Sequence, residues 1–134
     1  MLIEIVVIKN MRQIVSAMKD GHPRAKLAFE IFVHRLRSCI GAMIAVLGGI
    51  DVLAFTAGIG ENSPEVRAAA LANFGYLGVK LDPEKNAQSP LDQEIARPDS
   101  AVRLLIIRAQ EDWAIARDCW RLASSRIGGL ASTR

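Results

Sequence analysis

The feature that most constrains the fold is a continuous apolar run that leads into a glycine-containing turn and then into a helix. Residues 51–56 have the length and composition of a strand covered on both faces. Gly58 and Gly60 follow, and Pro64 suits the first position of a helix. Such a turn lets main-chain N–H groups approach a ligand and points the positive end of a helix at it. The pattern predicts a nucleotide site.

Helices and strands alternate along the rest of the chain, which indicates an α/β layered domain. The second half of the helix predicted over residues 23–47 lacks a polar face, so we expect that half to be buried. Residues 82–100 are rich in Pro, Asp, Gln and Lys, which predicts a surface excursion with a little order at 91–96. The predicted helices cover residues 10–20, 23–47, 64–75 and a segment from 110, and the predicted strands cover 1–8, 51–56, 76–81 and 102–107.

Composition and charge indicate a globular domain and argue against a nucleic-acid-binding protein. The 134 residues suffice for one modest domain, and 51% hydrophobic with 23% charged residues is typical of a globular chain. The net charge is only +3, aromatic residues make up 5%, and the basic residues are scattered. A nucleic-acid-binding protein usually carries a basic stripe with stacking aromatic side chains. We therefore expect no nucleic-acid partner.

A membrane span is the alternative for residues 40–60, where Asp51 is the only charged residue before the end of the run. Glycines interrupt this run, and a carboxylate near its middle is costly in lipid. A buried helix end followed by a buried strand explains this apolar run better than a membrane span does, so we expect no membrane partner. Cys39 and Cys119 match no metal-ligand spacing and are expected to be buried and reduced, which favours a cytoplasmic location.

With these residues in hand, the chain resembles the acetate kinase (acetokinase) family from residue 10 to about residue 122. The strongest block is residues 52–67, whose core reads Phe-Thr-Ala-Gly-Ile-Gly-Glu-Asn. A Gly-x-Gly turn alone is common, but this core together with further blocks in the family's order is far more specific. The further blocks are residues 24–29, 77–82 and 110–118.

The resemblance implies a ribonuclease-H-like α/β fold, shared with sugar kinases, actin and the heat-shock ATPases. The chain is similar to an incomplete nucleotide-binding half, with helices flanking a mostly buried sheet. Members of the family transfer the γ-phosphoryl group of ATP to acetate, or to a close short-chain carboxylate, with Mg²⁺. They are typically cytoplasmic homodimers. ATP or ADP, Mg²⁺ and a short-chain carboxylate are therefore the implied ligands.

The resemblance also implies a division of the chain. Residues 1–9 form a divergent strand or leader, residues 10–123 the carboxy-terminal nucleotide-binding domain, and residues 124–134 a flexible tail. Because the likeness covers only the carboxy-terminal third of the family, we expect a chain that is inactive alone and needs a missing amino-terminal domain. The family's catalytic residues lie upstream, so none is assigned here, and neither His22 nor His34 matches one.

Five consecutive residues match the nucleotide loop of the family. Two glycines let the main chain approach a nucleotide, an isoleucine can lie against the base or ribose, and an asparagine offers both a donor and an acceptor. The alternative is a tight turn in which Asn62, or Ser63 after it, caps the next helix. The five residues are Gly58, Ile59, Gly60, Glu61 and Asn62.

Asn10, Met11 and Arg12 fall where the family has an aspartate, an apolar residue and an arginine near the adenosine. Arg12 can stack on a base or pair with a phosphate. Asn10 keeps an acceptor oxygen but lacks the charge of the family's acid. The alternative is a solvated helix start.

Glu111 matches the acid that the family uses at its Mg²⁺ site. A magnesium ion that bridges phosphates keeps several waters and takes only one or two carboxylates, so one glutamate suffices. The alternative is an acid that stabilises a helix amino terminus. Arg108 departs from the family pattern and can compete with the metal for this carboxylate.

Two other functions are compatible with the residues. The chain can be a non-catalytic interaction module that self-associates, or docks a separate kinase half, through apolar surface on residues 40–47 and the amino-terminal strand. It can also be a dinucleotide-dependent oxidoreductase domain, since Asp82 lies about as far beyond Gly58 as the expected ribose-binding acid. Ser63 in place of a third glycine argues against the second alternative.

Overall fold

The computed structural model describes residues 10–88 and 92–130, so the predicted strand over residues 1–8 lies outside the described part of the chain. The expected α/β architecture, with helices flanking a small sheet, is confirmed. In chain order the described elements are α1 (Met11–Lys19), α2 (Pro23–Leu47), β1 (Val52–Phe55), α3 (Ala57–Asn62), α4 (Pro64–Leu71), a 3₁₀ turn (Gly75–Leu77), α5 (Pro83–Ala87), β2 (Gln93–Glu94), β3 (Arg103–Ile106) and α6 (Glu111–Leu130).

The described sheet has the order β1-β3-β2. β1 runs parallel to β3, with Val52 opposite Arg103, and β2 runs antiparallel to β3. The central strand is β3, where Leu104 and Ile106 have no exposed surface. The strand predicted over residues 51–56 is confirmed as β1. β1 lies at one edge of the described sheet and Val52 is 44% exposed, so the expected cover on both faces was wrong.

Two apolar clusters hold the elements together. The larger one lies on the sheet and includes Ile44, Phe55, Ile95 and Leu104. The smaller one joins three helices, because Met11 and Val15 of α1 pack with Phe29 and Val33 of α2 and with Val66 of α4. It fixes α1 beside the start of α4, although the two elements are far apart in the chain.

Local signals set the limits of α2. Pro23 occupies its first turn, where a missing N–H costs no helical hydrogen bond. Gly48 ends it in the left-handed region at φ 73°. The expected burial of its second half was wrong, since Val46 and Leu47 are exposed and only Ile44 is buried there. This part of the helix packs on the sheet through one side, and no described residue covers the other.

The region from residue 76 to residue 100 also differs from expectation. The predicted strand at 76–81 is a 3₁₀ turn ended by Gly78 at φ 76°, and only Leu81 forms an isolated bridge, with Ala96. The predicted surface excursion contains α5, β2 and the fully buried Ile95. A 3₁₀ turn of three residues and a strand of two residues are too short to produce a recognisable pattern in the sequence.

Two cysteines and two tryptophans are exposed on helices α2 and α6. Cys39 and Cys119 are both exposed, so their predicted burial was wrong. Trp113 and Trp120 of α6 are exposed and do not belong to the core. Across residues 10–88 and 92–130, the helices lack the combination of length and apolar content that crossing a membrane requires.

A buried polar pair joins α3, α4 and α5. Arg67 is 1% exposed, and its Nη1 donates to the carbonyl oxygens of Gly60 and Glu61, each at 2.8 Å. Its Nε and Nη2 donate to the side-chain and main-chain oxygens of Asn86, at 2.7 and 2.8 Å. Asn86 in turn donates to the carbonyl of Pro64 at 3.0 Å. Buried donors need partners, so these bonds fix the three helices relative to one another.

We expect Asn86→Ala to lower the free energy of unfolding by about 2 kcal/mol, because it leaves a buried guanidinium N–H without an acceptor. Urea denaturation followed by circular dichroism measures this loss. Asn73→Ala, at an exposed asparagine, is the matched control and should change stability little. Equal effects of the two substitutions would contradict the role assigned to the buried pair.

Candidate functional site

A cleft of about 670 Å³ lies between α1 and the junction of α3 with α4. A cleft of this size falls in the range of small-molecule sites. It brings together two of the segments that the sequence predicted as site residues. The predicted residues that line it are Asn10, Met11, Arg12, Gly58, Ile59 and Asn62.

The start of α1 forms one wall of the cleft. The side-chain oxygen of Asn10 accepts from the main-chain N–H of Gln13 at 2.9 Å, so it caps the helix. Met11 is buried in the cluster between the helices. Arg12 is exposed in the first turn and lines the cleft, and no ion pair to it is seen within the described residues. Arg12 is therefore the positive group that this wall offers to a ligand.

The opposite wall comes from α3. The sequence predicted a glycine turn here, and the structure has the short helix Ala57–Asn62 instead. The chain leaves β1 through Ala57 at φ 60°, a left-handed conformation that non-glycine residues rarely adopt. A Cβ atom added at Gly58 would meet nothing within 4 Å, so the main chain is open to the cleft there. The side chain of Asn62 donates to the carbonyl of Gly58 at 2.8 Å.

Neither Asn62 nor Ser63 makes a side-chain capping bond to α4. Ser63 occupies the N-cap position without a side-chain capping bond, and Asn62 instead closes α3 on itself. The amide of Asn62 competes for a main-chain partner within its own helix, as asparagine side chains often do. Ser63 therefore stands at an expected N-cap position of α4, but the side-chain capping bond expected from Asn62 or Ser63 is not formed.

Gly60 and Glu61 do not line the cleft, so the structure does not bring them together with the other predicted residues. A Cβ at Gly60 would lie 3.3 Å from the carbonyl carbon of Phe55, so this glycine allows α3 to pack closely on the end of β1. The carboxylate of Glu61 accepts from the main-chain N–H of Ala109 at 2.7 Å. Both residues contact the protein itself in the described structure.

Glu111 is the first residue of α6, just after the turn that follows β3. Its side chain lies outside what the structure describes, so its predicted role as a metal ligand stays a prediction. Within the described ranges, no group of three or more His, Cys, Asp or Glu side chains is arranged to hold a metal ion. Mg²⁺ on a nucleotide does not need such a group, because phosphates and waters supply most of its ligands.

Four further polar residues line the cleft and were not predicted as site residues: Ser16, Lys19, Ser63 and Glu65. Lys19 of α1 donates to a carboxylate oxygen of Glu65 in α4 at 2.6 Å and so closes one end of the cleft. Ser16 and Lys19 lie four and seven positions after Arg12, which is the spacing of one helix face. That periodicity is the signal that could have identified them.

The Lys19–Glu65 pair sets the charge at that end. Partial burial acts to raise the pKa of Glu65, but the hydrogen bond and the charge of Lys19, with a main-chain bond, outweigh it. The net pKa of Glu65 therefore lies below its ordinary value of 4.5. At neutral pH the two charges offset each other, which leaves Arg12 to attract an anion.

Comparison with known proteins shows the family of the chain. A profile of the acetokinase family matches residues 2–117. The chain belongs to the acetokinase family. The matched range includes residues 2–9, which the resemblance noted above did not cover, and the proposed domain limits stay a prediction.

Several acetate kinases are similar to this member of the acetokinase family. That of Trichormus variabilis is 57% identical over 116 residues, which cover 87% of this chain and 29% of the relative. The crystal structure of Porphyromonas gingivalis acetate kinase superposes with a TM-score of 0.74 at 33% identity, covering 81% of this chain and 28% of that one. A propionate kinase from Francisella tularensis superposes with a TM-score of 0.68 at 31% identity, covering 76% and 26%. The chain thus spans less than a third of the length of these relatives.

We expect Lys19→Met to remove a pH-dependent part of the stability of this acetokinase-family chain. The folded pKa of Glu65 is depressed, so its contribution is present above the unfolded value of 4.5 and is lost as the pH falls through the folded value. The stability difference between the wild type and Lys19→Met should be about 0.5 kcal/mol at neutral pH, since solvent screens the 62% exposed lysine.

Urea denaturation from about pH 7 to about pH 3 measures this difference. Lys26→Met is the matched control, because the Lys26–Glu30 pair is looser at 3.9 Å and more exposed. A difference that stays constant with pH would contradict the assignment.

Proposed function

We propose that the chain binds the ATP or ADP of an acetate-kinase-type phosphoryl transfer in the cleft between α1 and the α3–α4 junction. One observation carries the proposal. Arg12 and Gly58 belong to the two segments that the resemblance assigns to the nucleotide, and residues of both line one cleft although they are distant in the chain. Membership of the family and the names of the related kinases support the reaction class.

Three cleft residues have a direct role in this proposal, and two residues behind them have a supporting one. The open space above Gly58 lets main-chain groups approach the nucleotide. Half-buried Ile59 offers an apolar side to the base or ribose, and Arg12 opposes phosphate charge or stacks on the base. Gly60 and Glu61 support this segment from behind by their contacts with β1 and with the turn after β3.

The reaction proposed for the complete system moves the γ-phosphoryl group of ATP onto a carboxylate oxygen of acetate or a similar short-chain acid, giving an acyl phosphate and ADP. Glu111 would hold Mg²⁺, which neutralises charge on the phosphates when bound. Phosphoryl transfer also needs cationic groups on the transferring phosphoryl, and we assign none of them in this chain. We therefore propose that the chain supplies the nucleotide-binding part only, and that it works in a cytoplasmic homodimer together with an amino-terminal domain.

A second candidate is a non-catalytic interaction module, which one observation favours. Large apolar side chains are exposed on two elements, with Val46 at 79% on α2 and Trp120 at 74% on α6. Exposed apolar surface drives association. In this case the chain self-associates or docks a separate kinase half, and adding ADP leaves its melting temperature unchanged.

We expect ADP to bind the purified chain, and Arg12→Ala or Gly58→Ala to weaken binding about tenfold, by removing a charge-assisted contact or by filling the open approach. Isothermal titration calorimetry measures the affinities. Arg35→Ala, at an exposed arginine of α2 outside the cleft, is the control and should leave the affinity unchanged. NADH is titrated in parallel, and binding of NADH tighter than that of ADP would favour the oxidoreductase alternative.

We expect the purified chain to form no acetyl phosphate from acetate and Mg·ATP above a heat-denatured sample. The reason is that we assign no cationic group of this chain to the transferring phosphoryl. Trapping acyl phosphate with hydroxylamine detects the product. A signal that rises in proportion to protein concentration would show that the chain is catalytically sufficient.

A further inference from the structure

Glu61 lies on the cleft helix α3 but contributes nothing to the cleft lining. Gly58, Ile59 and Asn62 of the same helix face the cleft. The carboxylate of Glu61 instead reaches a segment 48 residues later and accepts from the main-chain N–H of Ala109 at 2.7 Å. A bond between a carboxylate and a main-chain N–H is charge-assisted and stronger than a neutral one.

The main chain of Glu61 is itself held in place. Nη1 of the buried Arg67 donates to the carbonyl oxygens of Gly60 and Glu61, each at 2.8 Å. The end of α3 therefore shifts only when these bonds to a buried cation open. The side chain of Glu61 acts as a short tether between this helix end and residue 109.

The tethered segment is the turn of residues 107–110, between β3 and α6. Three successive N–H groups there donate to three different parts of the chain. Ile107 donates to the carbonyl of Phe55 at 2.9 Å, Arg108 to the carboxylate of Asp92 at 2.7 Å, and Ala109 to Glu61. Only the third acceptor lies on the helix that lines the cleft. The turn is exposed and leads directly into Glu111.

We propose that Glu61 is a positioning residue, which couples the cleft helix α3 to the turn of residues 107–110 and does not contact the nucleotide. The coupling rests on the proposed function in that a nucleotide is the occupant of the cleft. A ligand seated on Gly58 and Ile59 restrains α3 and, through the carboxylate of Glu61, protects the N–H of Ala109 from exchange. Removing the carboxylate breaks this link and leaves the contacts in the cleft intact.

Amide hydrogen exchange by NMR on the 134-residue chain, with and without ADP and without added metal, tests the proposal. In Glu61→Ala without ligand, Ala109 should exchange about tenfold faster than in the wild type. ADP should slow exchange at Ala109 in the wild type and not in Glu61→Ala, while the ADP dissociation constants of the two proteins agree within about twofold. Glu61→Gln keeps an acceptor oxygen and should restore much of the protection.

Glu94→Ala is the matched control, because it removes an equally charged side chain whose partner is Arg103 on β3, outside the tether. It should leave exchange at Ala109 unchanged. An unchanged rate at Ala109 in Glu61→Ala would overturn the proposal. So would a tenfold loss of ADP affinity in both Glu61 variants, which would make Glu61 a direct ligand contact.

The same experiment distinguishes failure of the proposed function from failure of the tether. If the wild type binds no ADP, the nucleotide assignment is wrong, and the unliganded exchange rates alone decide the role of Glu61. Faster exchange at Ala109 in Glu61→Ala would then support the tether, and an unchanged rate would overturn it.

Discussion

The buried guanidinium of Arg67 organises the part of the molecule that lines the cleft. A positive charge out of water is tolerated only when its N–H groups are paired, and here every acceptor is a neutral oxygen on α3 or α5. Burial lowers the pKa of Arg67, and the nearby charge of Glu65 opposes that shift. An arginine nevertheless stays protonated at neutral pH. The carbonyl oxygens of Gly60 and Glu61 on α3 are therefore held within hydrogen-bond distance of its N–H groups.

Much of the fold could be predicted because its signals are local. Asn10, Pro23 and Gly48 mark the ends of the first two helices, and the apolar runs gave β1 and β3 within a residue or two. The shape of α3 could not be predicted in this way. A helix that opens with a left-handed alanine and contains two glycines has poor local propensity, and it depends on bonds from Arg67 and Asn62.

Burial and the residues that line the cleft could also be predicted only in part. An apolar sequence indicates that a surface needs covering but not which element covers it, which is why Val46 and Leu47 were expected inside and lie outside. The family resemblance indicated Arg12 and Gly58 as site residues, and both line one cleft. Lys19 lies on the same face of α1 as Arg12, but its pairing with Glu65 arises only when α1 packs beside α4, and its place in the cleft was missed.

The parallel pairing of β1 with β3 has a consequence for how such a chain can change. Because both strands point the same way, α3 and the turn of residues 107–110 emerge side by side from the carboxyl edge of the sheet. The residues between them include α4 and α5, which hold α3 through Arg67 and Asn86, and β2, which pairs with β3. Lengthening or shortening the surface loops that join these elements alters the path of the chain and not the meeting of α3 with the turn, so such loops can diverge while this edge of the sheet keeps its geometry.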